Sequence, residues 1–194
     1  MAYQRRKWVP HYFYHINTRG NSKKEIFHEE ADYYKFLKLL TRAHEKIPYE
    51  LCAYCLMSNH YHLLLRAPYK AIPKIMFHLN KRYADYYNRK YDSTGHVFEK
   101  RYHDNAVKTA KGLLVTSAYI HTNPYAANLV SDLTWYPWSS VHYFSPQTLK
   151  RPPQFLDPTP VLTNFPGTER EQKLAYMNWL SMQAVSGKQS THNL

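Results

Sequence analysis

Apolar and polar positions change their spacing several times along the chain, and each change marks an element. Residues 11–18 (HYFYHINT) are aromatic and β-branched and stop at Arg19-Gly20-Asn21, which reads as a strand ended by a turn. Residues 29–46 begin acidic and end basic, with Tyr33, Phe36, Leu37 and Leu40 on one stripe. This predicts a helix whose charges suit its dipole and which Pro48 ends. YELCAYCLM (49–57) and HYHLLLRA (60–67) predict two strands joined across Ser58-Asn59 as a hairpin. Ile72, Ile75, Met76, Leu79, Tyr83, Tyr86 and Tyr87 repeat at helical spacing over 71–91. A short strand is expected over 103–107. A helix from about Thr109 is expected to end at Asn123, because Pro124 disfavours helical geometry in the residue before it. The order β, α, ββ, α, β, α predicts an α+β domain of ferredoxin-like type, an antiparallel sheet with helices packed on one face.

Seven of the 12 prolines fall between Pro137 and Pro166, a density that neither a helix nor a central strand tolerates. The chain therefore divides into a core over 1–136, a Pro-rich strap over 137–166, and a C-terminal helix and tail over 167–194. In that helix a Thr168/Glu171 capping box precedes Leu174, Met177 and Leu180 at helical spacing. Strap and helix read as packing on the core, with covering the site or holding DNA as the other reading. No apolar run approaches the length of a membrane span, and the start MAYQRRKWVPHYFYHI lacks the apolar centre of a signal peptide. Two cysteines supply no disulfide framework, so a cytoplasmic setting is expected, with no membrane partner.

The charge sharpens the reading. The net charge is +12, and it is uneven: residues 1–111 hold 21 Lys and Arg against 10 Asp and Glu, residues 112–194 only 5 against 4. With 44% hydrophobic residues and 19 tyrosines, this is no disordered polycation, and the charge sits on a folded surface. A basic face with interleaved aromatics suits a nucleic acid whose bases can stack, single-stranded or unpaired.

Three constellations could carry chemistry. His60 and His62 fall on one face of a strand and could hold a metal ion between them, although two such histidines among 12 do not by themselves define a site. Cys52 and Cys55 with the same histidines could make a zinc site, but the odd offset of the thiols turns them to opposite faces of a regular strand, which argues for buried apolar packing instead. Tyr119 and Asn123 share a helix face four residues apart, a phenol able to attack a phosphate and an amide able to complete a metal triad. On residue type alone Tyr83, Tyr86, Tyr87 and Tyr91 are equally eligible.

Five blocks in order, YHINTRGNSKKEIFHEEADYYKFL (14–37), CLMSNHYHLLLR (55–66), GHVFEKRYHDNAV (95–107), AYIHTNP (118–124) and YPWSSVHYF (136–144), resemble the single-tyrosine HUH transposases, specifically the REP-associated tyrosine transposases. The likeness runs over residues 8–145. It implies that His60 and His62 are the HUH metal ligands, that Tyr119 is the catalytic nucleophile, and that Asn123 is the third metal-binding group, holding a divalent ion, Mg or Mn. It also implies a partner, single-stranded or hairpin DNA, cut to leave a 5′-phosphotyrosine and a free 3′-hydroxyl and rejoined by the reverse reaction, in a protein that works as a monomer or a homodimer at the bacterial nucleoid. Ala118 departs from relatives that carry a charged residue before the nucleophile.

Phosphate contacts are expected from Arg19, Lys23, Lys24, Lys81, Arg82, Arg89, Lys90, Lys100 and Arg101, with Arg19 and Arg101 foremost because they lie in the blocks RGN and EKRY. Two other readings use the same residues: a binding module on the same fold that makes no covalent bond, and a metal-dependent nuclease that activates water.

Overall fold

The structure, a computed structural model, describes residues 8–191; the outermost residues of the expected core and tail, 1–7 and 192–194, lie outside it. Strands β1 (Phe13–Arg19), β2 (Glu50–Met57), β3 (His60–Arg66) and β4 (His103–Val107) form one sheet in the order β2-β3-β1-β4. Every neighbouring pair is antiparallel. Helix α1 (Glu30–Lys46) carries the chain from β1 past β3 to β2, and α2 (Ile72–Lys90) carries it from β3 past β1 to β4. These are two interleaved split β-α-β units, the ferredoxin-like arrangement that the element order predicts.

Side-chain alternation gives each face its own core. Tyr14 and Ile16 of β1 and Tyr61, Leu63 and Leu65 of β3 pack with Phe36 and Leu40 of α1 and Ile75, Leu79 and Tyr83 of α2. On the other face Phe13, Ala53, Cys55 and Leu64 pack with Leu113, Ala118 and Ile120 of α3 (Ala110–Ala126). Thus α1 and α2 share one face, and α3 lies against the other. The start of α1 is tied to the end of α2 by Asp32, which is fully buried and accepts from Lys90 Nζ at 2.5 Å, Tyr91 Oη at 2.6 Å and Tyr86 Oη at 2.8 Å.

The Pro-rich segment completes the sheet edge. Outer strand β2 would otherwise expose unpaired backbone groups. Leu56 N–H donates to Trp138 O at 2.9 Å, Tyr54 N–H donates to Ser140 Oγ at 2.8 Å, and Asp157 N–H donates to Leu51 O at 2.8 Å. The segment is not fully extended: it contains a 3-10 turn at Ser140–Phe144 and a one-turn helix α4 at Thr159–Leu162. Helix α5 (Glu169–Thr191) follows and buries Tyr176, Leu180 and Ala184. Its inward stripe therefore runs through 176, 180 and 184. Leu174, expected on that stripe, is exposed.

Two local expectations are corrected. Helix α3 does not stop at Asn123 but continues through Pro124 to Ala126. Pro124 is buried, and side chains of the same turn bond its carbonyls, Thr122 Oγ1 to Ala118 O at 2.9 Å and Asn123 Nδ2 to Tyr119 O at 3.0 Å. Tertiary packing outweighs the local bias against helix before proline. Second, the register of β2 against β3 shifts between Leu51 and Ala53, a bulge at Cys52. The extra residue breaks strict alternation, so Cys52 and Cys55 enter the same core cluster rather than facing opposite ways.

Candidate active site

The site forms where β1 and β3 lie beneath α3. On β3, Tyr61 and Leu63 turn to the α1/α2 core, which leaves His60 and His62 on the α3 side. Their rings lie 5.0 Å apart, nearly perpendicular. On β1 the same alternation sends Tyr14 and Ile16 inward and brings His15, Asn17 and Arg19 to the α3 side. Register places Asn17 opposite His62 and Arg19 opposite His60.

Helix α3 supplies the remaining groups. Thr109 caps it by accepting from Gly112 N–H at 3.0 Å. Ser117, Ala118, Ile120 and His121 are buried, which turns Tyr119 outward at 53% exposure and puts Asn123 one turn further along. The Tyr119 ring meets His62 edge-on at 5.4 Å and His15 at 5.6 Å. Asn123 Nδ2 donates to Tyr119 O at 3.0 Å, and its amide lies close enough to His60 to affect that ring's pKa. The structure thus brings together His60, His62, Tyr119 and Asn123 from two elements far apart in sequence, and it adds His15, which sequence reading missed. The signal was present: residues 13–19 alternate as residues 60–66 do. What a single sequence does not show is that β1 pairs with β3.

A buried polar chain fixes the helix that carries Tyr119. Ser140 Oγ lies 2.8 Å from His121 Nε2, His121 Nδ1 lies 2.7 Å from Tyr176 Oη, and Tyr176 Oη donates to Ser117 Oγ at 3.1 Å. Ser117 Oγ then donates to Leu114 O at 2.8 Å. Burial, with a lesser effect of His142, lowers the His121 pKa to about 3, so its ring is neutral and serves as one donor and one acceptor.

All three histidines of the site are held neutral. Burial lowers the pKa of His15. His62 is only 4% exposed, and burial, then the charges of His60 and His15, bring it to about 3. His60 is lowered by burial and then by Arg19, with the Asn123 amide opposing. Neutral imidazoles keep a lone pair, the form that binds a metal.

These residues fit a divalent ion. Nε2 of His62 is buried with no hydrogen-bond partner, as expected of an atom whose partner is an ion. Two imidazoles and an amide oxygen suit Mn better than Mg, which prefers oxygen ligands. Among the described residues no three His, Cys, Asp or Glu side chains could hold an ion together, and Asn123 is the amide on the same face as the two histidines. The cysteine reading does not gain from the bulge. Cys52 Sγ donates to Leu64 O at 3.3 Å, Cys55 Sγ lies 3.7 Å from Met57 Sδ, and burial pushes both thiols up, away from the thiolate that zinc needs.

The basic residues fall into three groups. Arg19, Lys23 and Lys24 lie in the stretch leading from β1 beside His60, where the Lys23 carbonyl accepts from Asn59 Nδ2 at 3.2 Å. Lys81, Lys100 and Arg101 line a groove between α2 and residues 95–102, together with Phe77. Arg82, Arg89 and Lys90 line a cleft between α1 and α2, across the sheet from the histidines. Lys90 is engaged by Asp32 and Glu29, and Lys81 by Asp85.

Residues 9–123 match the family model described as IS200-like transposase. No curated protein matches the chain. Among solved structures, a REP-associated tyrosine transposase bound to a REP hairpin superposes with a TM-score of 0.64 at 15% identity, over 81% of this chain and 94% of that one. A protein of Deinococcus radiodurans assigned as a transposase superposes more loosely, with a TM-score of 0.43 at 18% identity, over 68% of this chain and 100% of that one. Among the described residues no helix is long and apolar enough to cross a membrane.

Proposed function

Because the chain belongs to the IS200-like transposase family, we propose that it cuts and rejoins single-stranded DNA at hairpin-forming repeats through a phosphotyrosine on Tyr119. The observation that carries this reading is the contact of the half-exposed Tyr119 ring with His62, with Asn123 one helical turn beyond it and near His60. A nucleophile, two neutral imidazoles and an amide meet on one polar face. The structural relative bound to a REP hairpin supports a hairpin partner for this chain as well.

His60, His62 and Asn123 would hold a divalent ion, which when bound polarises the scissile phosphate and offsets the charge building on its oxygens. The protein's own part is positioning. Tyr119 Oη attacks phosphorus in line with the departing 3′ oxygen; the new O–P bond forms as the P–O3′ bond breaks. The phenol gives up its proton and the 3′ oxygen gains one, so the step is neutral overall. Arg19 holds a neighbouring phosphate. Rejoining is the reverse attack by a 3′-hydroxyl, and it needs no nucleotide cofactor because the phosphoester is conserved in the tyrosine link.

The test is a labelled hairpin oligonucleotide incubated with the protein and Mn²⁺ or Mg²⁺ and resolved on a denaturing gel. A covalent adduct, absent in Tyr119→Phe, is expected. Cleavage that persists in Tyr119→Phe without an adduct would establish the water-activating nuclease instead, and binding without cleavage would establish the non-covalent module.

A further inference from the structure

With Nδ1 of each ring engaged by a neighbour, His60 and His62 can serve one ion only through the bare lone pair of Nε2, yet free neutral histidine in water favours the proton on Nε2. The fold must therefore oppose that preference. We propose that Asn59 and His15 are positioning residues that lock His60 and His62 in the Nδ1–H form, so that both Nε2 atoms are left as ligands. The inference rests on the metal-site reading given above.

For His60 the lock is anchored in the backbone. The Lys23 carbonyl can only accept, so the Asn59 group facing it at 3.2 Å is Nδ2. That turns Asn59 Oδ1, also an acceptor only, toward His60 Nδ1 at 2.6 Å. The proton between them must then sit on His60 Nδ1, and Nε2 is bare. Asn59 thereby links the basic Arg19–Lys24 stretch to a ligand position.

For His62 the lock is a second imidazole. His62 Nδ1 lies 2.9 Å from His15 Nε2, with the rings stacked at 5.1 Å. One of the two nitrogens carries the proton. If His15 did, His62 would need its own proton on Nε2, a buried N–H with no acceptor. An orphaned buried donor is the costlier arrangement. His62 Nδ1–H donating to His15 Nε2 satisfies both atoms and leaves Nε2 of His62 as the acceptor without a partner. Metal-bound imidazoles are held in this manner, with the second ring nitrogen donating to a fixed acceptor. His15 is thus an orienting group and not a fourth ligand.

Long-range ¹H–¹⁵N correlation spectra of the metal-free wild-type protein at neutral pH read the tautomers directly. His60 and His62 are expected as Nδ1–H; an Nε2–H form of either would overturn the proposal. Mn²⁺ affinity supplies the second reading. Asn59→Ala and His15→Leu are each expected to weaken binding by roughly 10–100-fold. His15→Gln, whose Oε1 can accept the same proton, is expected to recover most of the loss. Equal losses in His15→Gln and His15→Leu would mean that His15 only fills space and would overturn its role. Absence of a Tyr119 adduct alongside the expected tautomers would sink strand cutting and leave this inference standing; an adduct alongside Nε2–H rings would do the reverse.

Discussion

Nineteen tyrosines are chemically alike in the sequence, and their surroundings separate them. Tyr61, Tyr83 and Tyr176 are buried, and burial raises their phenol pKa values. Tyr86 and Tyr91 donate to Asp32. Tyr119 instead stands half-exposed against two imidazoles. Arg19, exposed and opposite His60 in the β1–β3 register, is the cation best placed for a strand lying on that site. Arg19→Ala should weaken hairpin binding across sequences and flatten the dependence of log K on log salt by about 0.7–0.9, the loss of one phosphate contact. An unchanged salt slope would remove Arg19 from the contact surface. At this scale strand alternation placed His60 and His62 on one face, as the sheet has them, and helical spacing placed Tyr119 and Asn123 on one helix face; the family resemblance singled these four out. His15 stayed hidden because its meaning depends on a strand pairing 47 residues away in the chain.

Elements are held in place by two buried polar clusters, one on each side of the sheet. On the α1/α2 side, burial alone would raise the pKa of Asp32, but hydrogen bonds from Lys90, Tyr91, the His28 backbone and Tyr86 outweigh it and bring the carboxyl to about 2. A carboxyl held lower in the folded chain stabilises it above its unfolded pKa, and that stability is lost as pH falls from about 4 through about 2. Asp32→Ala should cost about 1–3 kcal/mol at neutral pH, since it removes the buried acceptor shared by Lys90, Tyr86 and Tyr91 and leaves Glu29 as the carboxylate paired with Lys90, and should blunt the acid-induced loss in urea melts. On the α3 side, Tyr176→Phe should cost about 1–3 kcal/mol by leaving His121 Nδ1 and Ser117 Oγ without their partner. It should also raise hydrogen exchange in α5; equal exchange would mean that α5 is held by its apolar stripe alone. The four strands and the helices α1 and α2 were legible because their spacings are local. The bulge at Cys52, the passage of α3 through Pro124 and the inward stripe of α5 were not, because each is set by packing against a distant element.

Across the whole molecule, the nine cations singled out in the sequence fall on three surfaces, and of these the one around Arg19, Lys23 and Lys24 adjoins the histidines. Composition could indicate a polyanion partner but not which surface meets the reacting phosphate. It took the α3 face of the sheet to connect charge with chemistry. On the proposed reading of an unpaired strand, duplex of the same sequence should be cut far more slowly than the hairpin; equal rates would contradict that reading. The most direct test is to trap the adduct, digest both DNA and protein, and locate the added mass. A nucleotide linked through a 5′-phosphate to the peptide containing Tyr119 is predicted, with a free 3′-hydroxyl on the released strand. A nucleotide on any other residue, or a cut strand ending in a free 5′-phosphate with no adduct, would contradict it.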